Sequence, residues 1–193
     1  MKKTLITLCV LIIATVAMAQ KNTSESDHLK FMGIPICGTI KDFSKKLIAR
    51  SNARPTGVYN GLFSFHGDFA GYDADLHVNY NKENREVYSA YAVVDSRTRE
   101  RAEQVYDYFR SSLLKKYTDS FSKDDSSEEF GKVFKLWPKI DPKTKKFDPK
   151  KVYGEINLHI KYNKDLNVYG VFIVYNDRIN VDKYYNESKL ADF

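Results

Sequence analysis

The sequence predicts an α+β fold in which one antiparallel sheet carries two helices on one face. Two segments have apolar residues at helical spacing, and each precedes segments in which polar and apolar residues alternate. Such alternation is typical of strands with one buried and one solvated face. A hairpin-like sequence near residue 80 also recurs near residue 160. Together these observations predict tandem α-β-β-β repeats.

The first nineteen residues have the order of a cleavable secretory signal. Lys2 and Lys3 precede a twelve-residue apolar run, Leu5 to Val16, and small residues stand before Gln20. The run is shorter than the ~20 residues that a membrane span needs, which disfavours an uncleaved anchor. We therefore expect residues 1–19 to be a signal peptide and the mature protein to be secreted or periplasmic, with no stable membrane span.

Cleavage would leave 174 of the 193 residues, a length at which one compact domain is the default. Cys9 would leave with the signal, so Cys37 would be the only thiol and no internal disulfide could form. The formal charge would fall from +6 to +4. No concentrated basic stripe accompanies this charge, so we expect no nucleic-acid partner.

Residues 31–193 are expected to form a single α+β domain, with repeat one over 31–95 and repeat two over 96–180. Residues 20–30 are polar and aperiodic, which predicts a flexible arm with a solvated His28. A short strand is predicted at Phe31–Ile36. The first helix should run from about Ile40 to Arg50, because Thr39 and Asp42 form a capping-box start. Its expected buried face is Ile40, Phe43, Leu47 and Ile48.

Alternation from residue 56 to residue 95 predicts three antiparallel strands. They are expected at Val58–Phe65, Phe69–Tyr80 and Glu86–Val94. Gly67 and Asp68 should make the first connection, and the polar turn 81–85 the second.

A second helix is predicted from about Thr98 to Tyr117, and it is the longest periodic element. Its expected buried face is Ala102, Val105, Phe109, Leu113 and Tyr117. A strand should follow at Gly131–Trp137, and the lysine-rich segment 139–151 should be an extended loop. Two final strands, at Val152–Tyr162 and Asn167–Tyr175, precede a polar, tyrosine-rich tail.

The recurring hairpin is the strongest organisational signal. Residues 76–82 (LHVNYNK) match residues 158–164 (LHIKYNK) at an offset of 82, and the match continues at an offset of 81 after the turn. The second part aligns Val87, Tyr88, Tyr91 and Val93 with Val168, Tyr169, Phe172 and Val174. In each hairpin, every second residue of the strands is mostly apolar, and these residues should face the helices. The opposite face should be open, with Asp73, Asp75, His77 and Asn79 beside Glu155, Asn157, His159 and Lys161.

The opening FMGIPICGTIKDFSKKL, residues 31–47, resembles the start of a group of uncharacterised secreted proteins from gut Bacteroidetes. In that group F-x-G-I-P-I-x-G-[ST]-I-x-x-F precedes the first helix, and the resemblance implies no activity. The duplicated layout is similar to the fold of the β-lactamase inhibitor protein and of small envelope lipoproteins that share it, which implies a concave sheet that grips a partner protein. This chain lacks the paired cysteines of such domains, so no partner-binding residues carry over.

The candidate binding residues lie on the predicted strands, several of them on the expected open face. They are Asp75, His77, Tyr88, His159 and Tyr169. Tyrosine on an open sheet is a frequent contact residue for proteins and sugars, although strand propensity alone also explains it. We therefore predict a binding module for a protein or an envelope polymer, without a cofactor.

The first alternative is a metal-dependent or other hydrolase built on His66, Asp73, Asp75 and His77. Successive residues on one strand face stand about 7 Å apart, so a shared ion would need ligands from a neighbouring strand. Cys37 before the first helix is a second candidate for reactivity, although its position favours the role of a small buried residue. No G-x-S-x-G, H-E-x-x-H, P-loop or dinucleotide motif is present, so we expect no enzyme. A structural envelope protein without a discrete ligand is the second alternative.

Overall fold

The computed structural model describes residues 27–117, 121–122, 131–136 and 152–191. These ranges contain three helices: α1 (Ile40–Ser51), α2 (Arg99–Lys116) and α3 (Arg178–Ala191). They also contain ten strands: β1 (Lys30–Phe31), β2 (Ile34–Pro35), β3 (Arg54–Tyr59), β4 (Leu62–Phe69), β5 (Tyr72–Tyr80), β6 (Val87–Ser96), β7 (Phe121–Ser122), β8 (Gly131–Leu136), β9 (Gly154–Asn163) and β10 (Val168–Asp177). The predicted signal peptide and lysine-rich loop lie outside the described residues.

The main sheet is antiparallel throughout and has the order β3-β4-β5-β6-β10-β9-β8-β7. Four strands that follow α1 form one half, and four strands that follow α2 form the other. The halves meet where β6 pairs with β10. The predicted α+β class with an antiparallel sheet is therefore confirmed.

The two matched hairpins have the same register. Leu76 opposes Ala92 in the first hairpin, and Leu158 opposes Ile173 in the second. His77 likewise opposes Tyr91, and His159 opposes Phe172. The offsets of 82 and 81 in sequence thus relate equivalent positions in the sheet. A gene duplication as the origin of this correspondence stays a prediction.

Helices α1 and α2 bury their apolar faces against one side of the sheet. α1 begins as predicted, because the Thr39 hydroxyl accepts a hydrogen bond from the backbone N–H of Asp42. The expected buried residues of α2 are buried, and Tyr117 packs partly against the same core. Ile48 was wrongly placed on the buried face of α1 and is 38% exposed. Ile48 lies at the edge of the buried face of the helix, and Ser44 and Ser51 are buried there instead.

The first strand boundaries differ from the prediction because the turns lie elsewhere. The chain reverses at Asn60-Gly61, with φ of 46° and 84°, so the predicted strand Val58–Phe65 is divided between β3 and β4. Gly67 is not in a turn. It lies inside β4, where an added Cβ would stand 2.9 Å from the Cα of Ala53 at the end of α1. The next reversal is at residues 70–71, where Asp68 accepts a hydrogen bond from the N–H of Gly71.

The predicted polar tail is helix α3, and Asp177 explains where it begins. The buried Asp177 carboxylate accepts hydrogen bonds from the N–H of Asn180, at 3.1 Å, and from the N–H of Leu29, at 2.8 Å. The His28 ring lies 2.9 Å from the same carboxylate. His28 is therefore buried, and the expectation of a solvated residue was wrong. Asp177 caps α3 and holds the start of the described chain against it.

Candidate binding face

One side of the main sheet is left uncovered by α1 and α2. We call it the open face, formed by Ser64, His66, Asp73, Asp75, His77, Tyr91, Val93, Asp95, Asn157, His159, Lys161, Gly170, Phe172 and Val174. These residues alternate with the core residues of the same strands, as the period of a strand requires. The predicted assignment of Asp75, His77 and His159 to this face is confirmed.

The first histidine of the open face belongs to a cross-strand pair. His77 stacks on Tyr91, with ring centroids 4.5 Å apart and an interplanar angle of 21°. Its Nδ1 lies 2.9 Å from the Ser64 hydroxyl on the other side. Burial lowers the pKa of His77 below 6.5, and the charge of Asp75 opposes this shift. Burial therefore favours the uncharged form of the ring.

The second histidine is paired in the same way. His159 and Phe172 are stacked with centroids 5.0 Å apart and planes within 1°. Gly170 makes room for this pair, because a Cβ at residue 170 would lie 2.9 Å from the Phe172 ring and 3.2 Å from the Val93 side chain. Each half of the sheet thus contributes one histidine and one larger aromatic ring to the open face.

A groove of about 460 Å³ is lined by His77 and Tyr91 of the first pair and by Phe172 of the second. Tyr91, Val93, Gly170 and Phe172 form its floor. Asp75 and Asp95 form an acidic wall on the β5–β6 side. The other wall is the end of the β9–β10 hairpin, which includes Lys161, Lys164 and Leu166. The groove therefore combines an apolar floor with walls of opposite charge.

The acidic wall is only partly neutralised. Asp75 accepts a hydrogen bond at 3.0 Å from the His66 ring. The carboxylate of Asp95 has neither a hydrogen bond nor an ion pair with any residue that the structure describes. Partial burial, together with the charge of Asp75, raises the pKa of Asp95 above its ordinary value. Asp95 is thus a carboxylate that a cationic ligand would stabilise.

The metal site of the hydrolase alternative is not formed by His66, Asp73, Asp75 and His77. His66 lies between two carboxylates, with Nε2 2.9 Å from Asp73 and Nδ1 3.0 Å from Asp75, so both ring nitrogens are occupied. The hydrogen bond to Asp75 raises the pKa of His66, as do the charges of both carboxylates. His77 points instead to Ser64 and Tyr91. Within the described ranges, no three His, Cys, Asp or Glu side chains are arranged to hold a metal ion.

Two predicted binding residues are not available on the open face. Tyr88 is the extra residue of a β-bulge, since Tyr80 pairs with Val87 while Asn79 pairs with Ser89. Its ring stacks on Tyr184 of α3, with centroids 4.4 Å apart. The remaining candidate, Tyr169, alternates with the open-face residues of β10 and packs partly against the core. Residue 169 shares its side of the sheet with residue 171, so a contact role for Tyr169 stays a prediction and would not involve the open face.

Helix α3 borders the open face. Val181 and Tyr185 line a second depression, of about 360 Å³, together with Tyr91 and Val174. Burial, with Tyr184 and Tyr185 alongside, raises the pKa of Tyr88 to about 12.

Sequence reasoning left Asp95 and Gly170 out of the site. The sequence match between the two hairpins already aligned Tyr91 with Phe172, and this alignment was the available sign that each half contributes an aromatic ring to the open face.

Comparison of the chain with protein-family models, curated proteins and solved structures gives no match. In the part of the chain that the structure describes, no helix is long and apolar enough to cross a membrane. The functional argument therefore depends on the geometry of the open face.

Proposed function

We propose that the protein is a secreted or periplasmic, non-enzymatic module that holds a partner protein or an envelope polymer on its open face. One observation carries this proposal: the groove of about 460 Å³, with its aromatic floor and charged walls, lies on the side of the sheet opposite α1 and α2. Export is inferred from the signal-like residues 1–19.

The groove is suited to binding because its floor is ordered before a ligand arrives. Tyr91 and Phe172 stand on adjacent central strands, and each ring is already stacked on a histidine. Side chains that are held in place lose little conformational entropy on association. A half-buried aromatic ring is also the kind of residue that dominates binding energy at interfaces.

A hydrolase is the second candidate, because Ser64 and His77 form a hydrogen-bonded pair of the kind that activates a nucleophile. Two features oppose it. The nearby Asp75 is hydrogen-bonded to His66 and does not orient His77. Ser64 also lies inside the sheet, opposite Gly57 in β3 and His77 in β5, rather than at a turn or helix N-terminus of the kind where backbone N–H groups converge on an oxyanion. We expect a fluorophosphonate probe to leave Ser64 unmodified, and labelling that is lost in Ser64→Ala would favour the hydrolase.

The binding proposal is tested by capture from envelope extract of the source cell. Tyr91→Ser with Phe172→Ser removes both floor rings and should abolish capture, while Tyr108→Ser removes an exposed tyrosine from α2 on the opposite side. Capture by the Tyr108 variant should equal that of the unaltered protein. Equal capture by all three proteins would refute the assignment to the open face. If none of them captures a partner, the alternative of a structural envelope protein gains support.

A further inference from the structure

The acidic wall of the groove is a local exception on a basic protein. The whole chain has a formal charge of +6, yet Asp75 and Asp95 face the same groove from neighbouring strands. Asp75 opposes Val93 in the sheet, and Asp95 follows two residues later on the same side of β6. Two carboxylates therefore stand beside the apolar floor, where like charges repel each other.

The lysines of the opposite wall do not neutralise this pair. Lys161 shares a row with Asp95, because Gly170 pairs with both of them across β10. Even so, no ion pair joins Lys161 to Asp95 among the described residues. The Phe172 ring, the Val93 side chain and a carboxylate oxygen of Asp95 converge over Gly170, where a Cβ would lie 2.9, 3.2 and 3.4 Å from them. Asp95 is exposed and lines the groove beside these apolar side chains, so a ligand in the groove can reach its carboxylate.

The chemistry of the groove discriminates between ligand classes. A neutral sugar would leave Asp95 without a countercharge, and an anionic polymer that paired with Lys161 and Lys164 would place negative charge beside Asp75 and Asp95. A Lys or Arg side chain fits both features, because its aliphatic stem buries on apolar surface while its head group pairs with carboxylates. Phe172 and Val93 supply that apolar surface directly beside Asp95.

We infer that the groove receives a single Lys or Arg side chain of a partner protein, with its stem on Val93 and Phe172 and its cation at Asp95. This inference rests on the proposed function and specifies its ligand. Lys161 and Lys164 face the same groove and repel further positive charge. The bound segment therefore has one basic residue flanked by neutral or acidic ones, and polybasic segments bind poorly.

The inference is tested with a positional-scanning library of acetylated, amidated hexapeptides on the immobilised protein. We expect Lys or Arg to be selected at one position only. Asp95→Asn should weaken binding of the selected peptides by about tenfold or more, since a charged hydrogen-bond partner is lost. Asp107→Asn on α2 is the matched control and should leave binding unchanged. Circular dichroism would establish that both variants are folded.

The inference would be overturned if no peptide bound, if bound peptides showed no basic preference, or if Asp95→Asn behaved like Asp107→Asn. Failure of the inference and of the proposed function can be distinguished. Capture from extract that depends on Tyr91 and Phe172, without a basic preference in the library, rejects only the ligand class. Capture that does not depend on those rings rejects the open face itself.

Discussion

Asp177 joins three parts of the chain through one fully buried carboxylate. It caps α3 through Asn180 and accepts from the N–H of Leu29, and the His28 ring lies beside it. Asp177→Ala would remove the cap and leave two buried donors without an acceptor. We expect the free energy of unfolding to fall by roughly 3 kcal/mol, measured by urea denaturation.

A surface carboxylate on the same helix is the control for Asp177. Asp182 pairs with Arg178 at 3.1 Å, but its side chain is 56% exposed. Exposed pairs of this type contribute little, so Asp182→Ala should cost at most about 0.5 kcal/mol. Equal losses in the two variants would contradict the role assigned to the buried carboxylate.

The two open-face histidines of β4 and β5 should titrate in a fixed order. The hydrogen bond to Asp75 raises the pKa of His66, and burial lowers that of His77. His66 therefore favours the fold below pH 6.5 and loses this effect as the pH rises through its raised pKa. His77 has the opposite sign: the fold is favoured above pH 6.5, and this effect is lost as the pH falls through its lowered pKa.

Nuclear magnetic resonance of the two imidazole rings measures this order directly. As the pH falls, we expect His66 to protonate before His77. Asp75→Asn should bring the His66 midpoint down, because that substitution removes its strongest partner. Coincident midpoints in the unaltered protein, or an unmoved His66 midpoint in the variant, would contradict the described geometry.

Several residue roles were not accessible from sequence, and His28 shows why. Its partner Asp177 is 149 residues away, so neither spacing nor composition connects them. The helical stripe of α1, by contrast, was predicted from local periodicity and failed only at Ile48, on its flank. The spacing of apolar residues predicts which face of a helix or strand is buried. A buried polar pair depends on which distant segments of the chain meet in the fold, and local spacing does not contain that information.

Among the elements, α3 was the one that the sequence did not indicate. Along its described side chains, Val181 is the one apolar residue that is buried, so the segment shows little of the stripe that marks α2. Polar contacts also hold the helix in place. Asn180 donates from its side chain to the carbonyls of Ile36 and Val87. Such contacts leave no periodic signature in the sequence.

The pKa of Tyr88 reports whether α3 packs against the sheet. Burial holds its pKa at about 12, with Tyr184 stacked on the ring. Tyr184→Ala would expose the Tyr88 ring, so its pKa should fall toward the ordinary value of 10.0. The measurement is a pH titration of ¹³C-labelled tyrosine rings. An unchanged Tyr88 midpoint would show that α3 does not cover this residue.

The strand boundaries show which turn signals were informative. Asn60-Gly61 is a typical hairpin pair, and its positive φ values divide the long predicted strand into β3 and β4. The reversal at Ala70-Gly71 was harder to predict, because alanine rarely adopts the φ of 54° found there. Gly67 was taken for a turn residue although it serves close packing against the end of α1.

At the scale of the whole molecule, the groove depends on how the two halves of the sheet meet. β6 and β10 are adjacent, which brings Tyr91 and Val93 beside Phe172. Alternation predicted that these residues share a face, but it did not predict which strands are neighbours. The two halves could have met at other strand edges, and the sequence does not indicate that β6 pairs with β10. The groove and the unpaired carboxylate of Asp95 could therefore not be predicted without the structure.

Site-specific photocrosslinking tests the central claim, a partner held on the open face, most directly. A benzophenone amino acid at the exposed Lys161 would stand at the rim of the groove, and the same residue at exposed Lys45 on α1 would stand on the opposite side. After irradiation in envelope extract, we predict a covalent adduct from position 161 and none above background from position 45. Equal adducts from both positions, or none from either, would contradict the account.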